Sequence, residues 1–184
     1  SFWAILTNSF TGLIKLEETL KIKAMTTVEK KSGKVGKFVG TEHVETVRRN
    51  YREQRWLQNS RRIGKPDSLS VWFSLEDVEG FLEKLKNHGG NGIRFYFGAY
   101  DTEYAEKPLY AGRQTIVMVG TRQKATGNGE TGYDKDMYIS TKEGTSILAY
   151  NVGRPCPPVC TSGDGMDDLG ITIVDKGDDG LIIV

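Results

Sequence analysis

The clearest periodic segment of the chain follows Ser74. Leu75, Val78, Phe81, Leu82 and Leu85 fall within an arc of roughly 120° on a helical projection, while Glu76, Glu79, Glu83, Lys84 and Lys86 take the opposite side. The spacing predicts an amphipathic helix. Ser74 with Asp77 three residues on makes a capping box of the less usual Asp type, and His88-Gly89 supplies the stop. From Gly92 to Tyr100 the period drops to two, which places Ile93, Phe95, Phe97 and Ala99 on one face of a strand. That face is expected to meet the helix. Thr115 to Thr121 is a short apolar run bounded by loop residues, as expected of a central strand pairing with the first.

Upstream, Val44, Val47 and Tyr51 recur at helical spacing after Thr41, a candidate N-cap, and predict a helix running to about Asn59. Its apolar line stops at Tyr51. Arg55 falls at nearly the same angle as Val44, with Arg48 and Arg52 beside it, so an arginine stripe continues where the apolar one ends. Arg49, Arg61, Arg62 and Lys65 add to it. An arginine-bearing helix of this kind suits phosphates or an acidic protein partner, and Tyr51, Trp56 or Tyr96 would be the rings available to stack on bases. The plainer reading is a solvated face, with Glu45 four residues before Arg49 and arginine stems covering apolar surface.

Residues 29 to 40 hold three glycines and four lysines and read as a linker, and residues 1 to 24 carry little periodic pattern. Residues 1 to 40 are therefore taken as an N-terminal extension or linker with the character of a disordered segment, and 41 to 184 as one domain. Beyond Arg122 the chain is rich in glycine and turns, with strand candidates at Met137 to Ser140, Ser146 to Tyr150, Ile171 to Val174 and Leu181 to Val184. The last two flank a turn and are expected to form a terminal hairpin. Helices first and strands after give an α+β class: two main helices packed on a small, mostly antiparallel sheet, with a glycine-rich irregular C-terminal third.

Composition narrows the functional classes. The 25 Lys and Arg nearly cancel the 24 Asp and Glu, so no overall field marks a polyanion or a membrane surface as partner, and any basic surface is local. No apolar run approaches the ~20 residues of a membrane-spanning helix, and the first residues lack the plan of a signal peptide. A soluble, cytoplasmic protein is the expectation.

Candidate chemistry is sparse. Gly127-Asn-Gly-Glu-Thr-Gly132 has the spacing of a dinucleotide-binding loop, yet the residues after it alternate like a strand and offer no helix N-terminus to a pyrophosphate, so a flexible loop is expected. Cys156-Pro-Pro-Val-Cys160 could hold a metal, close a small disulfide or redox pair, or simply carry two thiols in a proline-stiffened loop. The third reading is preferred, because His43 and His88 lack paired ligand spacing and zinc wants four ligands. Asp164, Asp167 and Asp168, and again Asp175, Asp178 and Asp179, lack the spacing and closing Glu of a calcium loop and read as solvated turns. Arg94, Tyr96 and Tyr100 could line an RNA-binding sheet face, but the order of elements is wrong for that fold, and a tyrosine ladder beneath the first helix is expected instead. With two histidines and no nucleophile elbow, no catalytic set and no cofactor stand out.

The string Ser70-Val-Trp-Phe-Ser-Leu75, the amphipathic helix, Gly92-Ile-Arg-Phe-Tyr-Phe-Gly-Ala-Tyr100 and Thr115-Ile-Val-Met-Val119 resembles a group of uncharacterised bacterial proteins over about residues 70 to 121. The resemblance implies a bacterial, cytoplasmic origin and brings no activity. The expectation is a non-enzymatic binding or protein-interaction module using Arg48, Arg52, Arg55 and Arg62. Two alternatives stand beside it: a small enzyme or ligand-binding protein using the region Gly120 to Gly132 and the Cys156/Cys160 loop, and nucleic-acid binding through the first helix.

Overall fold

Ser74 opens its helix as expected. Its hydroxyl accepts from the Asp77 amide at 3.0 Å while the Asp77 carboxylate accepts from the Ser74 amide at 3.1 Å, so two backbone donors at the helix start are satisfied reciprocally. The computed structural model of the chain describes residues 33, 35–124, 132–161 and 171–183, which, Gly33 apart, belong to the compact unit Lys34–Val184. Residues 35–40 are exposed and form neither helix nor strand.

Among the described residues there are three α-helical segments and ten strands. The first helix is continuous through α1 (Thr41–Tyr51), a π-helical turn (Arg52–Trp56) and α2 (Leu57–Ile63), and α3 is Leu75–Asn87. The first helix takes Gly40 rather than Thr41 as its N-cap, Thr41 being its first helical residue, and it outlasts the expected end at Asn59, stopping where Gly64 turns left-handed at φ 68°. The strands are β1 (Ser70–Trp72), β2 (Gly92–Ala99), β3 (Gln114–Gln123), β4 (Asp134–Asp136), β5 (Tyr138–Thr141), β6 (Gly144–Ile147), β7 (Ala149–Tyr150), β8 (Arg154–Cys156), β9 (Ile173–Asp175) and β10 (Leu181–Ile183).

Among the described residues all strand pairings are antiparallel. β3 is central, flanked on one side by β2 and on the other by β4 and β7, which join it at successive positions while the β5–β6 hairpin departs between them. β1 pairs with β8, and β9 with β10 as the expected terminal hairpin. The α+β class therefore stands, but two helices on a single sheet give way to a main sheet and three two-stranded ladders.

The core lies where α3 crosses the main sheet. Phe81 and Leu85 meet Met118 and Leu148, with Phe73, Ile93, Met137, Ile139 and Tyr150 around them. Leu85 sits so close to β3 that a Cβ on Gly120 would stand 2.6 Å from its Cδ1, which explains the glycine in a central strand. Coverage ends there. Leu75 is 74% exposed, Phe95 57% and Phe97 83%, so the expectation that the whole apolar face of β2 meets the helix is corrected to Ile93 alone at the core. The strand is longer than the width of the helix crossing it.

Candidate functional site

The first helix is fastened along one side by hydrogen bonds to the segment that follows it. Tyr51 donates its hydroxyl to the Ser68 carbonyl at 3.3 Å, Trp56 donates Nε1 to the Asp67 carbonyl at 2.7 Å, and Ser60 Oγ accepts from the Asp67 amide at 2.9 Å. Asn59 reaches the Gln114 side chain at 3.5 Å. Tyr51 and Trp56 are five residues apart, a spacing that an α-helix sends to different sides. The π turn, in which the Leu57 amide donates to the Arg52 carbonyl, brings residues five apart back into line, so both rings reach the same loop.

That loop is itself fixed from within. Asp67, 2% exposed, accepts from the Ser68 amide at 2.7 Å and from the Gln114 amide of β3 at 2.6 Å through the same Oδ1, and Leu69 donates to the Cys156 carbonyl of β8. Arg113 is buried beside it, its Nε bound to the Leu109 carbonyl at 2.9 Å, and burial lowers its pKa against the opposing pull of Asp67. Ser68 Oγ and Arg113 Nη1 are buried without a hydrogen-bond partner among the described residues. Burial likewise raises the Tyr51 hydroxyl, with Asp67 adding to the effect.

Fastened in this way, the helix turns its arginines outward. Arg48, Arg49, Arg52, Arg55, Arg61 and Arg62 are all exposed. Arg52 lies 6.0 Å over the Trp56 ring, and Arg55 donates to its neighbouring Gln54 carbonyl at 3.1 Å. Glu45 and Arg49 do not close the ion pair that their spacing allows. Among the described residues the single ion pair joins Arg94 to Asp136, far from this helix in the sequence. Residues 41–65 carry seven Lys or Arg against three Glu. The straight stripe through Arg48, Arg52, Arg55 and Arg62 is corrected in one respect: the π turn adds a residue to the helical count, so Arg62 leaves the line of Arg48 and Arg52 and the basic surface is broad.

The remaining candidates disperse. Cys156 and Cys160 form a disulfide, which corrects the preferred reading of two unpaired thiols and leaves no thiolate for a metal. No group of three or more His, Cys, Asp or Glu able to hold an ion occurs among the described residues. His43 is exposed on α1, and His88 Nδ1 lies 2.7 Å from the Lys84 carbonyl at the end of α3. Of the loop Gly127 to Gly132 all but its last residue, and all of Asp164, Asp167 and Asp168, lie outside the described residues. Asp175 accepts from the Gly177 amide at 2.8 Å, an ordinary turn contact. Tyr96 hydrogen-bonds Asp136 at 2.6 Å instead of lying beneath the first helix, and the same hydroxyl, with Asp136, raises the Arg94 pKa.

Tyr100 has a different setting. It stacks on Tyr104 at 4.7 Å and tilts against Tyr110, while its hydroxyl, Thr115 Oγ1 and Asn151 Oδ1 lie 3.0 to 3.3 Å from one another. Hydrogen bonding to Glu106 pushes Tyr104 up to about 12. Next to Asn151, Val152 holds φ at 68°, a strained conformation for a β-branched residue. Sequence reading missed Asp67, Ser60 and Arg113. Pro66-Asp67-Ser68 signals a turn, but nothing local signals that its carboxylate reaches β3.

Comparison with protein-family models, curated proteins and solved structures gives no match to the chain.

Proposed function

We propose that the chain is a non-enzymatic binding module that docks an acidic protein segment along its first helix. One observation carries this reading: Arg48, Arg49, Arg61 and Arg62 stand in solvent without an ion pair among the described residues, on a helix held from its other side. Unneutralised like charges on one helix repel at a small cost to stability, and an acidic partner removes that cost.

A protein partner is favoured over nucleic acid because Tyr51 and Trp56 are half-buried, with their polar tips spent on the Ser68 and Asp67 carbonyls. Both rings are thus held against the anchoring loop and only partly open to a base. The test compares a labelled polyglutamate peptide with a single-stranded oligonucleotide. The peptide should bind, weaken as salt rises, and be lost when Arg48, Arg52, Arg55 and Arg62 are changed to Glu. Equal capture of partners by the reversed protein ends the proposal, and preference for the oligonucleotide replaces it with the nucleic-acid reading.

A ligand-binding reading finds its support in Tyr100, Thr115 and Asn151 beside the strained Val152. Thermal stabilisation by a nucleotide or metabolite, lost in Asn151→Ala, would favour it. The Cys156–Cys160 bond weighs against a cytoplasmic site of action, because reducing compartments keep such pairs open.

A further inference from the structure

We infer that β2 is a dimerisation edge, at which a second copy of this chain adds its own β2 antiparallel to extend the main sheet. β2 pairs on one side only, with β3, and no strand among the described residues takes its other side. The Tyr100 amide donates to the Arg113 carbonyl. By the alternation of an antiparallel ladder, the even-numbered residues of β2 therefore bond inward, and Ile93, Phe95, Phe97 and Ala99 turn their amides and carbonyls to the open edge.

Beyond Arg94, whose charge is matched by Asp136, this edge carries none of the usual protections. From Gly92 to Ala99 there is no Pro and no Lys, and the register against β3 runs without a bulge. The strand also presents Phe95 at 57% exposure and Phe97 at 83%, on the same face as the core residue Ile93 but beyond the reach of α3.

The outward set is self-complementary, and that selects a second copy as the occupant. Ile93, Phe95, Phe97 and Ala99 are centred on Tyr96, so a twofold axis at Tyr96 uses all of them, with Phe95 opposite the second copy's Phe97 and Ile93 opposite its Ala99. About eight backbone hydrogen bonds result. The two phenylalanine pairs fall on one face and cover each other. The charges agree: Arg94, the one charged residue of the strand, lies opposite the second copy's Gly98 and is already neutralised by Asp136, so no like charges meet.

The test uses the full chain. Sedimentation from low to high micromolar concentration should show passage from one chain to two. Phe97→Lys should hold the protein at one chain throughout, with a melting temperature equal to that of the wild type at the lowest concentration, where both are single chains. Tyr96→Cys should cross-link between copies under mild oxidation, because residues at the axis lie about 4.5 Å apart between Cα atoms, within disulfide reach. Phe95→Cys, out of register with its own copy, should not. A single-chain mass at every concentration overturns the inference, whatever then covers the strand. So does a dimer indifferent to Phe97→Lys, or one cross-linked through Phe95→Cys and not through Tyr96→Cys.

Discussion

Asp77 shows how one side chain joins levels of the structure. It closes the capping box of α3 and also accepts from the Tyr150 hydroxyl at 2.6 Å, 73 residues away, tying the helix start to β7. The hydrogen bond from Tyr150, followed by those from Ser74, holds the Asp77 carboxyl below the usual carboxylate range, and the same bond raises Tyr150. A depressed carboxyl stabilises the fold above its unfolded pKa and loses that contribution as pH falls through the lower folded value. A raised phenol stabilises below its unfolded pKa and loses its contribution as pH rises through the higher folded value. Tyr150→Phe should therefore return Asp77 toward the ordinary carboxylate value in an NMR titration, and it should make stability less dependent on pH at both extremes. Asp67 makes a second residue-level case. Asp67→Ala leaves the Ser68 and Gln114 amides without their acceptor, and chemical denaturation should record a loss of about 3 kcal/mol.

At the scale of elements, α3 and β3 are matched by the removal of a side chain. Leu85 occupies the space above Gly120, where a Cβ would lie 2.6 Å from its Cδ1 and 3.1 Å from Leu148 Cδ2. Gly120→Ala should cost about 2 kcal/mol through overpacking, and Leu85→Ala about 3 kcal/mol through the cavity it leaves. Because each change relieves the other, the double variant should lose less than the two single losses combined, which a denaturation cycle measures directly. Ser74→Ala should cost about 1 kcal/mol by removing the cap. The first helix behaves differently. It contributes no fully buried side chain, and its attachment rests on half-buried Tyr51, Trp56, Asn59 and Ser60, which hydrogen-bond the 67–68 turn and Gln114.

Across the described molecule, attachment and display are separated. The polar anchors Tyr51, Trp56, Asn59 and Ser60 fix the helix, while Arg48, Arg49, Arg61 and Arg62 stand exposed. Reversing Arg48, Arg52, Arg55 and Arg62 to Glu should accordingly shift the melting temperature little while abolishing binding of the acidic peptide, a split that calorimetry and a binding titration together detect. Among the described residues, no helix is long and apolar enough to cross a membrane. The disulfide closes the Cys156–Cys160 loop next to β8, the strand that receives the Leu69 amide, so the anchoring turn is held from both the main sheet and the β1–β8 ladder.

The local elements were legible because their determinants lie within a few residues of each other. Ser74 and Asp77 define the start of α3, alternation defines β2, and a turn between two apolar runs defines the β9–β10 hairpin. The exposed arginines were legible for the same reason. What tertiary structure alone decided is how far one element covers another and where distant polar groups meet. Alternation placed Phe97 on the same face as Ile93, but the reach of α3 left one in solvent and the other at the core. Helical phasing could not foresee the π turn that aligns Tyr51 with Trp56. The union of Asp67 with Gln114, 47 residues apart, depends on a desolvated meeting of chain segments that no short window of sequence contains.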